Sequence, residues 1–426
     1  MSPRAAKIHL GITVPLLALF AYNGFLSSIY GFGVQRPSID RIALFVLWTL
    51  SSLACLPDRV ERPSDLFWTF YLFLGGIWGA TLWGLTGKIS LPAGVLWLLL
   101  LHGPAYIFRG VALLEPRLGD RLPLIQLYPP RLLVLPLLVM LILAVLATLG
   151  AASIGSFDFL SLYDRRLAGR EMMPERSLQA YLFGMSVNGV AVLLAYIAGR
   201  HRSAIAAIGS LVFCFYAYWL FGLRSQFLNV VLLFGIGVVI SQASVARLQA
   251  VLVWGAFGAI AVFVIEYWAT GYSQFADYVI RRIAMVQPEV QAFYLEALLD
   301  DPASNFMAGV PWQSHSDVTY FIGENYLFNP QSNANTNGFF YALAKFGLPG
   351  YLLAIAVVSG LLLVVDNYYR RTGTSEFLAI AALYGILVAE QSYSAALLSS
   401  GIAPCILIIA LFSRQERGAP RWTLYK

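Results

Sequence analysis

Apolar runs long enough to cross a ~30 Å hydrocarbon layer as helices, about 20 residues each, alternate with polar stretches along the whole chain. The pattern predicts twelve spans, near 8–30, 40–57, 66–87, 91–108, 132–153, 178–198, 204–222, 225–241, 250–270, 337–365, 377–394 and 395–412. Runs such as LLVLPLLVMLILAVLATLG are continuously apolar, unlike the ~10-residue alternating segments of an outer-membrane barrel. The expected fold class is therefore all-α, a polytopic helical bundle forming one membrane domain over 1–426, without internal repeats. The first run begins close to Lys7 and no small-residue cleavage site follows it, so it reads as a retained span rather than a removed signal.

The polar stretches then set the sidedness. With the N-terminus inside, the inner segments are PDRVERPSD, 109–131, GRHRS, QASVARLQ, DNYYRRTGTSE and the tail SRQERGAPRWTLYK, each carrying lysine or arginine. Both termini are then cytoplasmic. Two long segments, 154–177 and 271–336, fall outside and break the rule. The first contains LYDRRLAGREMMPER, with Arg165, Arg166, Arg170 and Arg176; the second includes Arg281 and Arg282 near its start. Between them, a two-residue turn after Phe221 and Gly222 holds Arg224.

Composition sharpens this picture. Hydrophobic side chains make up 59% and charged ones 12%, the latter about half the share of a soluble domain. A net charge of +6 would suggest nucleic acid in a soluble chain, but here the basic residues sit mostly in short loops between spans, and nucleic acid is not an expected partner. Cys55, Cys214 and Cys405 fall inside spans with no CxxC or Cys/His spacing, and are expected to be core filler.

Outward arginines have two ordinary explanations, anionic headgroups and plain solvation. Arg224 fits neither easily, because its turn leaves almost no loop in which to wander. A guanidinium fork matches phosphate oxygens in a bidentate way, so arginines converging from the three outer groups would suit a pyrophosphate. Beyond Arg281 and Arg282, the large outer segment reads as two amphipathic helical pieces split at Pro288, capped at Ser273 and lying on the membrane surface, with Phe275, Tyr278, Val279, Ile283 and Val286 on one face. The stretch ASNFMAGVPWQSHSDVTYFIGENYLFNPQSNANTNGFF then mixes aromatics with amides and hydroxyls. That is the chemistry of a sugar site, and equally of an interfacial aromatic belt. A glycosyl transfer needs a base for the attacking hydroxyl. The candidates are Asp277, Glu289, His315, Asp317 and Glu324, with His315 first because its ordinary pKa suits neutral pH. The outer segments hold no clustered carboxylates, so neither a metal nor another cofactor is expected. Within spans, Lys345 is placed to snorkel to the outer end, Glu266 lies near the interface, and Glu390 is deeper; for these three, structural pairing and function are both open.

Four motifs in order carry a family resemblance: SFDFLSLYDRR after the fifth span, the tight GLRS turn, RRIAMVQPEVQAFY in the large outer segment, and NANTNGFFYALAKFGLPG leading out of it. Over residues 154–360 or so, the chain resembles the oligosaccharide repeat-unit polymerases, the Wzy-type O-antigen polymerases of Gram-negative bacteria. The resemblance implies a GT-C-like, metal-independent glycosyltransferase of the inner membrane, active on its periplasmic face. Its substrate would be an undecaprenyl-pyrophosphate-linked oligosaccharide, whose glycan passes to the non-reducing end of another carrier-linked repeat unit. Membrane lipid and a chain-length regulator of the polysaccharide co-polymerase type are the further partners it implies. Carried onto this sequence, the family pattern points to Arg166 and Arg170, with Tyr163 and Arg165 beside them, then Arg224, Arg282 beside Arg281, and Asn335 with Asn337 in the exit motif.

Two other readings stay open. An O-antigen ligase would use the same donor, although its loop typically ends in a His-Asn motif where this chain has NANTNGFF. A lipid-linked oligosaccharide flippase or other transporter would usually show duplicated halves and short loops on both sides, against which stands the long segment 271–336.

Overall fold

The structure is a computed structural model of the chain, and it describes residues 3–14, 38–77, 90–113, 128–158, 177–242, 248–274, 286–300 and 317–413, with positions 16, 165, 168–169, 171–173 and 276 besides. Among the described residues every regular element is helical. The helices are α1 (Pro3–Ile8), α2 (Ile39–Cys55), α3 (Pro63–Leu72), α4 (Leu91–Ala112), α5 (Val134–Thr148), α6 (Leu178–His201), α7 (Ala204–Phe221), α8 (Ser225–Gln242), α9 (Leu248–Thr270), α10 (Gln287–Asp300), α11 (Val318–Asn325), α12 (Gly338–Thr372), α13 (Glu376–Glu390), α14 (Tyr393–Leu397) and α15 (Ile402–Phe412).

Local sequence explains where they begin and end. Serine hydroxyls at Ser90, Ser177, Ser203 and Ser392 accept from amides of the first turns of α4, α6, α7 and α14, satisfying donors that a helix cannot satisfy itself. Gly222 closes α7 in the left-handed region, its N–H reaching the Tyr218 carbonyl at 2.7 Å. Gly347, at φ 66° and ψ −165°, bends α12 just ahead of Pro349.

Among the described residues, eight helical stretches are long and apolar enough to cross a membrane: Leu91–Ala112, Val134–Ser153, Leu178–His201, Ala204–Phe221, Ser225–Gln242, Leu248–Thr270, Gly338–Thr372 and Tyr393–Phe412. The chain is thus a multi-pass helical membrane protein. Of the other four expected spans, 8–30 and 66–87 run into residues outside those described, and 40–57 forms the shorter α2. The span expected at 377–394 ends at Glu390 instead, because the chain leaves the helix at Gln391, in extended conformation, and restarts at Tyr393.

Charged pairs gather the expected inner segments at one end. Lys7 pairs with Asp58 at 2.7 Å. Arg109 donates to the last carbonyls of α2 at Ala54, Cys55 and Leu56, and Gln249 donates to the Pro57 carbonyl at 3.0 Å. Arg62 lies 3.6 Å from Asp65 and 3.7 Å from the buried Asp366 of α12, which also accepts from the Ser64 amide and hydroxyl. His201 at the end of α6 meets Glu376 at the start of α13 at 2.8 Å. Cys55, Cys214 and Cys405 are all buried in the helical core.

Of the two helical pieces expected on either side of Pro288, the second is α10, with Pro288 in its first turn, where no helical hydrogen bond needs its missing N–H; of the five residues assigned to one amphipathic face of the first piece, only Val286 is described. The surface placement expected of the second piece is corrected: Gln291, Tyr294, Leu295 and Leu298 of α10 are fully buried, and Trp97 of α4 donates its indole N–H to Gln291 at 3.0 Å. The aromatic and amide groups hold it in the bundle rather than at the lipid surface.

A close crossing joins α6 and α8. A Cβ at Gly199 would strike the Phe234 carbonyl, and one at Gly237 the Tyr196 carbonyl, whereas Gly235 faces open space. Gly237→Ala should lower the melting temperature of the detergent-solubilised protein, by the equivalent of about 1–3 kcal/mol, while Gly235→Ala should leave it unchanged. Equal behaviour of the two variants would refute this packing.

Candidate functional site

The described residues of 154–177, the first segment expected outside, pack against the C-terminal end of α7. A helix C-terminus presents carbonyls without intrahelical partners and a partial negative charge, and Arg165 answers both. Its Nη1 donates to the carbonyls of Trp219 at 2.8 Å and Tyr218 at 3.3 Å, and its Nη2 to the Asp158 carbonyl at 2.8 Å. Its guanidinium also lies 5.7 Å from the centre of the Tyr218 ring. The Ser156 amide donates to the Trp219 carbonyl at 2.9 Å, and Gly155 and Gly169 leave room for the rings of Trp219 and Phe221. Arg165, one of the residues expected to contact substrate, is 4% exposed and joins the described part of this segment to α7. Tyr163, Arg166, Arg170, Arg281, Arg282, Asp277 and His315 lie outside the described residues.

Arg224 follows, half-buried, in the turn between α7 and α8. Its depth can be read off α6. The Phe221 ring packs 4.8 Å from that of Phe183, and Gln226, in the first turn of α8, donates to the Asn188 side chain at 3.2 Å. Arg224 therefore lies between the levels of Phe183 and Asn188, about 8 to 15 Å along α6 from Leu178. Asn188 belongs to a π turn, Ser186–Val190, within α6, a local widening frequently found at functional positions.

A second turn reaches the same level. The Ser399 carbonyl abuts Gly184, the Ser400 carbonyl abuts Gly189 and Gly401 abuts Met185, so closely that a Cβ at any of these glycines would fall 2.7–2.8 Å from a carbonyl oxygen. Across this turn Gln391 donates to the Ser400 hydroxyl at 2.8 Å. Glu390, the last residue of α13, stands about 21 Å of helix rise from Glu376, which pairs with His201. Two turns and a π turn thus bring Asn188, Arg224, Gln226, Gln391 and Ser400 to one level, with Glu390 next to Gln391.

The exit motif of the large outer segment caps this region. Gly338 at the start of α12 sits on the backbone of Gln391 and Tyr393. Asn337 is fully buried: its amide donates to the Tyr71 hydroxyl at 3.0 Å and its carbonyl accepts from the Phe339 amide at 3.0 Å, which commits both ends of a side chain expected to contact substrate. Asn335 is exposed. Beside it the Tyr294 hydroxyl donates to the Ala334 carbonyl at 3.0 Å, and burial, with Asp317 as the lesser cause, holds that phenol well above its ordinary pKa, so it stays a donor. Gln291 Nε2, Thr319 Oγ1 and Thr336 Oγ1 are buried with no hydrogen-bond partner among the described residues.

The remaining acids divide plainly. Asp317, a candidate base, caps α11, accepting from the Val318 amide at 2.7 Å, from Tyr341 at 3.0 and 3.1 Å and from Lys345 at 3.2 Å. Lys345 is thereby paired within the fold rather than left to reach for the interface. Glu289 is half-buried in the first turn of α10, and Glu324 is exposed at the end of α11. The amides Asn188, Gln226 and Gln391 were missed by reasoning from charge alone. The available signal was a lone amide within or beside an apolar run, as in SVNGV, SQFLNV and VAEQSY.

Comparison of the chain with family profiles, with characterised proteins and with solved structures gives no match in any of the three.

If Arg165 is a cap, Arg165→Ala should cost about 2–3 kcal/mol of stability, the scale of losing a charged group from buried carbonyls, seen as a lower melting temperature in detergent. A variant that melts like the parent but loses function would instead place Arg165 on the substrate.

Proposed function

We propose that this chain is a glycosyltransferase of the bacterial inner membrane, an oligosaccharide repeat-unit polymerase that works on the periplasmic face with a lipid-linked donor. The observation that carries the proposal is the turn between α7 and α8 that holds Arg224, level with Phe183 and Asn188 of α6 and next to the end of α7 that Arg165 caps; this reading takes that end as the periplasmic one. A pyrophosphate on a lipid carrier presents its charge at headgroup level, just above such a turn. The ordered motifs between 154 and 360 supply the rest of the support.

In this reading the carrier pyrophosphate is the leaving group, and Arg224 meets the charge that develops on it as the glycosidic bond breaks. Positive donors fixed before the reaction are effective because they need no reorganisation at the transition state. Arg166, Arg170, Arg281 and Arg282 are the further arginines of the outer segments proposed to serve the same anion, and Asn335 is the exposed amide of the exit motif proposed to face the glycan. His315 keeps its place as a candidate base on the ground of its chemistry alone.

Two measurements test this reading. Deleting the gene should leave lipopolysaccharide with a single repeat unit on its core; bare core would indicate a ligase, and an unchanged ladder would defeat both. In proteoliposomes with lipid-linked repeat units, elongation without added energy supports the polymerase, and translocation without elongation supports a flippase. Arg224→Ala should lower turnover about 10²–10³-fold with the protein still present in the membrane, and Arg224→Lys should recover only part of it because the fork is lost.

A further inference from the structure

We propose that Phe328 is the platform on which one sugar ring of the glycan rests, beside the exposed amides of Asn329, Gln331 and Asn335. The inference deepens the glycosyl-transfer reading by naming a second contact near Asn335, and it rests only on the part of that reading in which the chain holds a glycan. Backbone geometry leads to it first. Among the described residues, two that are not glycine have a positive φ, Arg202 and Phe328, the latter at 53°. A left-handed residue just past a helix end is usually glycine or asparagine, since a bulky side chain there crowds its own backbone. In this chain asparagine comes one position later, at Asn329, and a phenyl ring takes the strained place just beyond α11. Strain of this kind lasts only where the surroundings impose it, and it gathers at ligand contacts. Here they impose it on both sides of the ring. The Leu327 amide donates to the Ile322 carbonyl at 3.3 Å, the Asn329 amide to the Gly323 carbonyl at 2.9 Å, and the Gln331 amide to the Asn329 side chain at 3.0 Å. The fit is close enough that a Cβ at Gly323 would strike the Ser332 carbonyl.

The same contacts leave the ring of Phe328 outside, 88% exposed. Exposed apolar side chains are ordinary on the long helices, where lipid covers them, as at Ile265 and Trp268 of α9. Phe328 stands instead in DVTYFIGENYLFNPQSNANTN, residues 317–337, which holds two acids and no lysine or arginine. A segment that rests on anionic headgroups is expected to be basic, so a neutral, hydroxyl-rich occupant fits this one better. The Ala334 amide donates to the Thr319 carbonyl at 3.2 Å, one helical turn before the Gly323 carbonyl that takes Asn329. The loop therefore runs back along α11 and sets Ala334, with Asn335 beside it, about 6 Å from the level of Asn329. A flat apolar face followed by amides at that spacing matches a pyranose, whose C–H face stacks on a ring while its hydroxyls bond to amides.

The test uses the full-length protein in detergent, with the free repeat-unit oligosaccharide, released by mild acid from the lipid-linked substrate, as the probe. F328A should bind it about tenfold more weakly than the parent, the scale of one lost aromatic contact, and F328W within about threefold of the parent. F328N should bind as weakly as F328A yet melt no lower than the parent, because asparagine suits the left-handed backbone. In proteoliposomes, F328A should raise KM for the lipid-linked substrate with kcat close to the parent's. Parent-like binding by F328A or F328N would overturn the proposal, as would early melting of both variants in step with their loss of binding. In vesicles made with brominated lipid, the extra fluorescence of F328W over the parent should stay unquenched; quenching would assign Phe328 to the membrane surface instead. A parent protein that binds the oligosaccharide but does not elongate it sinks the polymerase reading and leaves this one standing, whereas a parent that binds none at millimolar concentration sinks this one.

Discussion

A backbone carbonyl or amide that leaves a helix inside hydrocarbon has no water to bond, and the end of this bundle where α7 and α13 stop and α8 starts is organised by that constraint. Where α7 stops, its carbonyls are taken by Arg165 and by the Ser156 amide. Where α13 stops, the Gln391 amide turns back to Leu387 and the Gln391 side chain reaches Ser400. Where α8 starts, Gln226 finds Asn188 in the π turn of α6. At α7 the freed carbonyls themselves are bonded, and beside the other two breaks side-chain pairs, Gln391 with Ser400 and Gln226 with Asn188, tie the turn to a neighbouring element. These polar groups share one level because the breaks do.

Charge is paired at both ends. Where the expected inner segments meet, Lys7, Arg62, Arg109 and His201 pair with carboxylates or with the last carbonyls of α2. At the outer end, Asp317, Tyr341 and Lys345 form a compact set that ties the start of α11 to α12 ahead of the bend at Gly347. This set anchors the end of the large outer segment against the bundle, close to where Asn337 and Tyr71 lock its last residues. The exit motif is thus fixed at both ends of the first half of α12, and a rigid frame of this kind can hold a site formed by the segments around it.

Much of the chain was legible in one dimension. Apolar runs located the eight long helices, serines marked several of their starts, and Gly222 marked the stop before Arg224. The reading of 271–336 went wrong at α10 because its apolar and polar positions resemble those of a surface helix; Trp97, nearly two hundred residues away, supplies the partner that buries Gln291. Lys345 was legible as a charge near a span end but not as a partner of Asp317, which precedes it by a whole helix. The break after Glu390 comes four residues ahead of the one expected between 394 and 395, where Gly338 and α6 approach the backbone of Gln391, Tyr393, Ser399 and Ser400 closely.

The sequence by itself determined that the chain is a multi-pass helical membrane protein, and it singled out Arg224 and Glu390 as charges a bundle would need a reason to keep. Hydropathy and charge are local properties, read within one turn or one span, so they locate helices and flag anomalies without outside help. Only the tertiary structure decided depth and company: that the Arg224 turn lies between Phe183 and Asn188, that the turn after Glu390 meets the same stretch of α6, and that Arg165 caps a helix. Those outcomes depend on which helix each turn packs against, a relation between residues far apart in the chain that no local pattern contains.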